Sequence, residues 1–222
     1  MRISKKPEER RNEILNAAEF LFTTKGFAKT TVNEILKEVG IAKGTFYHYF
    51  QSKEEVMDAI IERFINWGVE AAKKVATNPN LTAPEKIFQV LMAQTPATGR
   101  KEEMIEELHQ VSNAEMHQKS IVETIRQLTP VIAQVIEQGI EEGYFHTPYP
   151  KETVEILLVS SQFLFDEGIF NWDPQELQEK AMAFSYIAET TLGAKKGSFA
   201  YIAKMLQQSV QDQEIQGGAK DE

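Results

Sequence analysis

Two short helices separated by a tight turn constrain this chain more than any other feature of its sequence. Apolar residues recur between positions 32 and 39 with the spacing of one buried helical face, and Thr31 with Glu34 forms a capping box at the start of that helix. Gly40 follows the last apolar position and ends the helix, and a second helix begins near Lys43. This arrangement predicts a helix-turn-helix, whose second helix can lie in the major groove of DNA.

The second helix of this pair combines an apolar stripe with an outer face that carries hydrogen-bond donors and aromatic rings but no acid. Phe46 and Phe50 supply the stripe. Gly44 is unfavourable for a helix, but it allows a phosphate or a base edge to approach the backbone closely. The residue types alone leave two interpretations open: a DNA-reading helix, or an exposed helix whose aromatic rings pack on a neighbouring element. The outward residues are Lys43, Gly44, Thr45, Tyr47, His48 and Tyr49.

Four segments match a known sequence pattern in order, spacing and residue type. They are Ile14-Leu15-x-Ala17-Ala18-x-x-Leu21-Phe22, Lys25-Gly26-Phe27, Thr30-Thr31-Val32-x-x-Ile35 and the whole of Gly40–Lys53. Through them, residues 8–68 resemble the DNA-binding domain of the tetracycline-repressor (TetR) family of bacterial transcription regulators, and the motif itself spans residues 31–50. The remainder of the chain resembles the family only in length and helical character.

The resemblance implies double-stranded operator DNA as the partner and gives roles to individual residues. Phosphates are expected to meet both ends of the motif, and base edges the middle of its second helix. The expected phosphate contacts are Thr31, Tyr47 and Lys53, and the expected base contacts are Thr45 and His48, with Tyr49 and Lys43 as further candidates. Ala42 and Gly44 complete the set of residues predicted to contact DNA.

Charge is divided unevenly along the chain. Residues 1–53 carry ten Lys and Arg against six Glu, a net charge of +4, whereas the remainder carries 14 Lys and Arg against 27 Asp and Glu, a net charge of −13. The overall charge of −9 would by itself argue against a polyanionic partner. Because the basic charge lies in the segment that holds the motif, the acidic remainder is expected to keep other surfaces away from DNA.

Composition excludes several classes of protein. The chain of 222 residues has no Cys, so we expect no disulfide, no thiolate metal site and no Cys nucleophile, which suits a reducing cytoplasm. Residues 1–11 are charged throughout and lack the apolar centre of a signal peptide. No apolar run approaches the ~18 residues that span a bilayer. We therefore expect a soluble cytoplasmic protein without a membrane partner.

The helical pattern continues along the chain, without a strand pattern, and predicts an all-α fold. Residues 1–55 are expected to form an N-terminal three-helix helix-turn-helix DNA-binding domain. Residues 56–210 are expected to form a larger helical C-terminal domain for ligand binding and dimerisation, and residues 211–222 a disordered tail. A long fourth helix, Ser52–Val75, leads from the first domain into the second, and a later helix is expected to begin at the capping box Ser120–Glu123.

The C-terminal region supplies candidates for a ligand pocket and for a dimer interface. Adaptable Met and aromatic side chains line apolar pockets, although core packing is their ordinary role. The pocket candidates are Phe64, Trp67, Phe88, Met92, Met104, Met116 and Phe163. The family resemblance places a four-helix dimer interface on the two helices predicted between residues 151 and 193, where the candidates are Leu158, Phe165, Ile169, Phe184 and Ala188.

Other groups of polar residues do not complete a catalytic or metal site. Glu106-x-x-His109 has the spacing of a di-iron carboxylate helix, but that chemistry needs a second copy and two further Glu residues. His109 and His117 lie eight positions apart, and Ser160-Ser161 has no base nearby in the sequence. We therefore predict no metal, no cofactor and no catalytic residue.

These observations predict a homodimeric repressor that leaves a palindromic operator when an unknown small-molecule effector binds. The effector is expected to tilt the long fourth helix and so to change the distance between the two recognition helices. Two alternatives remain open: a helical enzyme or metal-binding protein tethered to DNA, and a DNA-binding protein without an effector. The length of the region after the motif argues against the last, because dimerisation alone would not need it.

Overall fold

The computed structural model describes residues 6–94, 99–110, 113–202 and 204, and these residues form helices and turns without a strand. None of the described helices is both long enough and apolar enough to cross a membrane. The all-α prediction is confirmed, whereas the predicted tail, 211–222, lies outside the described residues. The helices are α1 (Pro7–Lys25), α2 (Val32–Val39), α3 (Lys43–Tyr49), α4 (Lys53–Ala76), α5 (Ala83–Gln94), α6 (Gly99–Leu108), α7 (Ala114–Glu141), α8 (Pro150–Leu164) and α9 (Pro174–Thr191).

The chain separates into two compact units. Unit 1 comprises Met1–Glu70 and Thr95–Thr124, and unit 2 comprises Ala71–Gln94 and Ile125–Glu222. Unit 1 therefore contains the helix-turn-helix and also α6 with the start of α7. It extends beyond residue 55, the boundary predicted for the DNA-binding domain.

The core of unit 1 is formed by the helices of the motif and completed by α6. The apolar stripe of α1 and the first half of α4 bury their side chains in one cluster with the inner faces of α2 and α3. Each large apolar side chain that is fully buried stabilises the fold by about 1.5–3 kcal/mol. Buried members of the cluster are Ile14, Leu15 and Phe22 of α1, Ile35 of α2, Phe46 of α3, Val56, Met57 and Ile60 of α4, and Met104 and Leu108 of α6.

Arg63 of α4 joins α1 to α4 beside this core. Its guanidinium donates a hydrogen bond to the side-chain oxygen of Asn16 at 2.8 Å and forms an ion pair with Glu19. The Glu19 side chain is buried. Because a buried carboxylate without a partner is costly, this pair favours one register of the two helices.

Unit 2 packs α5, the later part of α7, α8 and α9 around a second apolar core. Lys86 of α5 is buried, and its ammonium donates to the Ala76 carbonyl and to the side-chain oxygen of Gln138, both at 2.6 Å. Gly139 allows a close approach to α7, since a Cβ at this position would lie 2.1 Å from the Phe145 ring and 2.9 Å from Cβ of Ala83 in α5. These contacts fix the end of α4 and the start of α5 on α7.

The start of α7 differs from the prediction made from its sequence. The capping box Ser120–Glu123 predicts a helix start, but α7 runs from Ala114 to Glu141 through this point. The Ser120 hydroxyl donates to the His117 carbonyl at 2.8 Å and therefore does not cap a new helix. The prediction of a helix start at Ser120 is wrong, because the same residue pattern is compatible with a Ser inside a helix.

Candidate nucleic-acid interface

α2 begins at the reciprocal cap that the sequence predicts. Thr31 Oγ1 accepts a hydrogen bond from the Glu34 amide at 3.3 Å, and the Glu34 carboxylate accepts one from the Thr31 amide at 2.8 Å. Lys25 forms an ion pair with Glu34, and this pair, together with the hydrogen bonds from Thr31, lowers the pKa of Glu34 to about 2. The cap fixes the residue at which α2 starts and leaves Thr31 exposed.

The turn between α2 and α3 depends on Gly40. Its φ of 71° and ψ of 40° lie in the left-handed region that favours glycine. The amides of Gly40 and Ile41 both donate to the Leu36 carbonyl, at 2.9 and 3.1 Å, and so close the end of α2. α3 then starts at Lys43 after Ala42, which provides no side-chain cap.

α3 keeps its apolar stripe inside and its donors outside. Phe46 is fully buried, and Phe50 just after the helix is buried as well. Lys43 Nζ lies 5.7 Å from the centre of the Tyr47 ring, and the His48 and Tyr49 rings meet edge to face at 5.0 Å. The predicted DNA contacts that are exposed are Ala42, Lys43, Gly44, Tyr47 and His48, and those that are half-buried are Thr45 and Tyr49.

Lys53, the first residue of α4, is engaged within the protein. Its ammonium donates to the carbonyl oxygens of Phe27 at 2.7 Å and of Thr30 at 3.0 Å, with a longer contact to Ala28 at 3.5 Å. It also lies 4.3 Å from the centre of the Phe27 ring. Lys53 therefore holds the turn between α1 and α2, and the phosphate contact expected of it stays a prediction that would need one of these bonds to be shared or released.

Glu107 of α6 holds the same turn from another direction. Its carboxylate accepts a hydrogen bond from the Phe27 amide at 2.8 Å. The Asn113 side chain donates to the Glu107 carbonyl at 2.7 Å and contacts its carboxylate at 3.4 Å. Glu107 is absent from the predicted site because it lies 80 positions from Phe27, and no local signal in the sequence indicates such a contact.

The seven residues predicted to line a ligand pocket are distributed between the two units. In unit 1, Met104 and Met116 are buried in the core, Phe64 packs against it, and Trp67 is 65% exposed. In unit 2, the side chains of Phe88, Met92 and Phe163 are each partly exposed.

A cavity inside unit 2 has other lining residues. Its volume is about 90 Å³, and every side chain that lines it is apolar. None of the seven predicted pocket residues is among them, because most of the wall is made of Ile, Leu and Val side chains. The lining includes Ile87 and Val90 of α5, Ile136 of α7, Leu157 of α8, and Phe184 and Ala188 of α9.

The five residues predicted for a dimer interface have mixed exposure in the single chain. Leu158, Phe184 and Ala188 line the cavity, and Ala188 is buried. Phe165 lies edge-on to the Phe184 ring at 5.5 Å, whereas Ile169 is 40% exposed. Other apolar side chains of the same helices are exposed, namely Ile156, Val159 and Phe163 of α8 and Met182, Tyr186 and Ile187 of α9.

Two family models match the sequence. The model described as "Bacterial regulatory proteins, tetR family" matches residues 14–60, which run from α1 into α4. The model described as "Tetracyclin repressor-like, C-terminal domain" matches residues 97–187, which run from α6 into α9. The two matches together include the helix-turn-helix and most of the helices that follow it.

Similar proteins include two bacterial regulators and one solved repressor. The HTH-type transcriptional repressor KstR2 of Mycobacterium tuberculosis is 29% identical over 147 residues, 65% of this chain and 73% of that protein. The HTH-type transcriptional regulator YhgD of Bacillus subtilis is 29% identical over 171 residues, 75% of this chain and 86% of that protein.

The solved structure is that of SmeT, the repressor of the multidrug efflux pump SmeDEF of Stenotrophomonas maltophilia. It has 22% sequence identity and a TM-score of 0.59, covering 85% of this chain and 92% of that one. A SmeT–triclosan complex is also similar, with 20% identity and a TM-score of 0.56 over 86% of this chain and 94% of that one. At these identities the two structures show a shared fold.

We predict that Lys53→Met destabilises unit 1 in the absence of DNA. The substitution keeps most of the length of the side chain but removes the hydrogen bonds to the carbonyl oxygens of Phe27, Ala28 and Thr30. Hydrogen bonds to charged groups contribute about 1.5–3 kcal/mol, so the free energy of unfolding should fall by about that amount. Urea unfolding, with hydrogen exchange of the amides of residues 27–36, measures the loss.

The matched control is Tyr47→Ala, which removes an exposed side chain of α3. This variant should unfold like the wild type while binding DNA less well. If Lys53→Met unfolds at the same urea concentration as the wild type, the hydrogen bonds of Lys53 to the turn contribute no measurable stability. The Lys53 ammonium of the wild type would then be available for a phosphate.

Proposed function

The chain belongs to the TetR family of DNA-binding transcriptional repressors, and from that premise we propose that it binds a two-fold symmetric operator as a homodimer and leaves it when a small-molecule effector binds. The family is one of regulators, so the alternative of a DNA-tethered enzyme is not retained. The observation that carries the proposal is the exposed, acid-free face of α3, held in place by the Gly40 turn. We place the protein in the cytoplasm, where its operator is.

Two neighbouring faces of α3 divide the contacts with DNA. Thr45 and His48 are three positions apart and therefore share one face, which we assign to base edges in the major groove. Lys43 and Tyr47 are four positions apart and share the next face, which we assign to the phosphates beside the groove, with Lys43 also able to reach a base. The net charge of +4 on residues 1–53 favours this approach to the duplex over approach by the acidic remainder.

We predict that His48→Ala relaxes sequence preference at one position in each half-site. A lost base contact should cost about 1–3 kcal/mol on the preferred operator and little on an operator that is changed at that position. Selection from a randomised duplex library, followed by fluorescence anisotropy titration, measures both affinities. His146→Ala removes an exposed histidine of unit 2 and is the matched control. An unchanged preference in His48→Ala would contradict the assignment of this residue to base edges.

The exposed apolar faces of α8 and α9 support a homodimer. On α8, Ile156, Val159 and Phe163 follow the i, i+3, i+7 spacing of one stripe, and on α9 Met182 and Tyr186 are four positions apart. Contiguous apolar surface on a single chain indicates a binding partner. A second copy of this chain is the partner that a two-fold symmetric operator requires, because one helix-turn-helix reads only one half-site. We therefore place the interface on these outward stripes, and assign the inward residues Phe184 and Ala188 to the cavity.

We predict that Ile156→Glu combined with Tyr186→Glu gives a folded monomer. Two carboxylates on the proposed interface would have to be buried without partners, which opposes association. Sedimentation should show a species of 25.2 kDa in place of a dimer at micromolar concentration, with unchanged helical circular dichroism. Affinity for the full operator should fall, while Trp67→Glu, an exposed site in unit 1, should leave the dimer intact. A dimer that survives the double substitution would exclude this interface.

The cavity of unit 2 supports an effector that is predominantly apolar. Its walls offer no polar side chain, so a polar ligand would lose its hydration without compensation. At about 90 Å³ it is smaller than the roughly 150 Å³ cavity known to accept benzene in another protein. A larger ligand would therefore have to move the helices around it. The similar repressor SmeT forms a complex with triclosan, which makes triclosan a suitable first probe.

A displaced α5 has a direct connection to α4. Ile87 lines the cavity, and its neighbour Lys86 donates the 2.6 Å hydrogen bond to the carbonyl of Ala76, the last residue of α4. A ligand that pushes α5 outward must move this bond or break it. A coupling of only about 1–3 kcal/mol between ligand and operator changes operator affinity by about 5- to 150-fold.

We predict that Ala188→Leu blocks the effector by filling the cavity. The test probes are triclosan and a panel of apolar compounds, and the readout is the thermal stabilisation of the protein, which grows as RT ln(1 + [L]/Kd). Stabilisation by an active probe should be lost in Ala188→Leu and kept in Ala200→Leu, which adds the same side chain at an exposed position. Equal stabilisation of the two variants by the probe would exclude this cavity as the effector site. If no apolar probe stabilises the wild type, a repressor without an apolar effector is favoured.

A further inference from the structure

Unit 1 contains a pair of histidines that DNA binding does not use. His109 follows the last residue of α6, and its amide donates to the Ile105 carbonyl at 3.0 Å. His117 lies near the start of α7. The corner between the two helices brings the two imidazole rings to a centroid distance of 4.9 Å, with their planes inclined by 53°. Both side chains are half-buried.

We propose that His109 and His117 bind a divalent transition-metal ion such as Zn²⁺ or Ni²⁺. Their ligand nitrogens lie within 4.8 Å of one another. Two imidazole nitrogens that share a tetrahedral Zn²⁺ at 2.0–2.1 Å are about 3.3 Å apart. Rotation about the side-chain bonds of two half-buried residues can supply this difference. Imidazole is a preferred ligand of Zn²⁺, Ni²⁺ and Cu²⁺, whereas Mg²⁺ and Ca²⁺ prefer oxygen.

The sequence around the pair is acidic. Residues 99–118 carry two basic and five acidic residues, a net charge of −3, and such a segment attracts divalent ions. Few other side chains of the protein compete for such an ion, because the sequence has no Cys and only two other histidines, His48 and His146. All four histidines are in the described part of the chain, and there the only histidine rings in contact with each other are those of His109 and His117.

The same corner is connected to the helix-turn-helix. Asn113 lies between the two histidines in sequence, and its side chain donates to the Glu107 carbonyl at 2.7 Å. The Glu107 carboxylate in turn accepts the Phe27 amide at 2.8 Å, at the turn that precedes α2. A metal that draws His109 and His117 together therefore acts on the residues that hold this turn. This second step, a change in operator affinity on metal binding, rests on the proposed function, whereas metal binding itself does not.

Isothermal titration of the full-length protein with ZnCl₂ and NiCl₂, in a buffer that does not bind metal, tests the site. The wild type should bind one ion per chain. His109→Ala and His117→Ala should each weaken binding by at least about tenfold, since even residues behind the metal ligands change affinity by about 10–100-fold. His48→Ala and His146→Ala should bind like the wild type. Mg²⁺ should not compete, and affinity should fall as the pH is lowered, because the metal requires deprotonated imidazole.

Two results would overturn the site: no binding of either ion by the wild type, or equal binding by all four variants. The first result would show that the two imidazole rings are in contact but do not hold a metal ion. Because alanine at a half-buried position can disturb the corner, His109→Gln and His117→Gln are measured alongside, with circular dichroism as the check of folding. Loss of metal binding in the folded Gln variants supports the proposal without relying on the Ala variants.

Operator titrations with and without Zn²⁺ test the second step. In the wild type, saturating Zn²⁺ should change operator affinity by at least about fivefold, the lower end of ordinary coupling. The effect should disappear in His117→Gln and shrink in Glu107→Gln, which keeps the metal ligands but weakens the bond to the Phe27 amide. If the wild type binds metal but its operator affinity does not change, the proposed coupling is wrong and the proposed metal site still stands. Failure of the wild type to bind any duplex selected from a random library would count against the proposed function instead.

Discussion

The orientation of the recognition helix depends on the turn between α1 and α2, which is held from three directions. The Lys53 ammonium of α4 donates to carbonyl oxygens of the turn, and the Glu107 carboxylate of α6 accepts a hydrogen bond from the Phe27 amide. Thr30 inside the turn is buried, and its hydroxyl donates to the Gly26 carbonyl at 2.8 Å. The cap of α2 starts at the next residue, Thr31, and α3 follows α2 through the fixed Gly40 turn. Any movement of this turn is therefore carried directly into α3.

This dependence connects α6 to the position of α3, whereas the sequence-based scheme connected only α4 to it. α6 belongs to the same compact unit as the motif, and Met104 and Leu108 are buried in the same core. The hydrogen bond from the Phe27 amide to Glu107 adds a polar and directional link to that packing. Apolar contacts tolerate small shifts, whereas a hydrogen bond weakens steeply with distance and angle. α6 is thus suited to transmit small displacements to the turn.

Local signals in the sequence predicted local structure well. The capping box at Thr31 and the end of α2 at Gly40 are present, because each depends on residues within four positions of one another. The helix start predicted at Ser120 is wrong, because the residue pattern of a capping box also occurs when a Ser lies inside a helix. The TetR resemblance supplied the family, which periodicity could not.

The remaining features depend on contacts between distant residues or on the choice between two similar faces. Glu107 and Phe27 are 80 positions apart, and the His109–His117 pair forms only because a corner separates two helices. α8 and α9 are apolar on two sides, so their sequences do not tell which side faces the cavity and which faces outward.

Helix α4 shows how such contacts combine: its first residue, Lys53, binds the turn before α2, and the carbonyl of its last residue, Ala76, accepts a hydrogen bond from Lys86. A helix of 24 residues is about 36 Å long, so a tilt of about 5° displaces one end by roughly 3 Å. A shift of that size exceeds what a hydrogen bond can accommodate, so the bonds that Lys53 donates to the turn require α4 to keep its tilt within a few degrees.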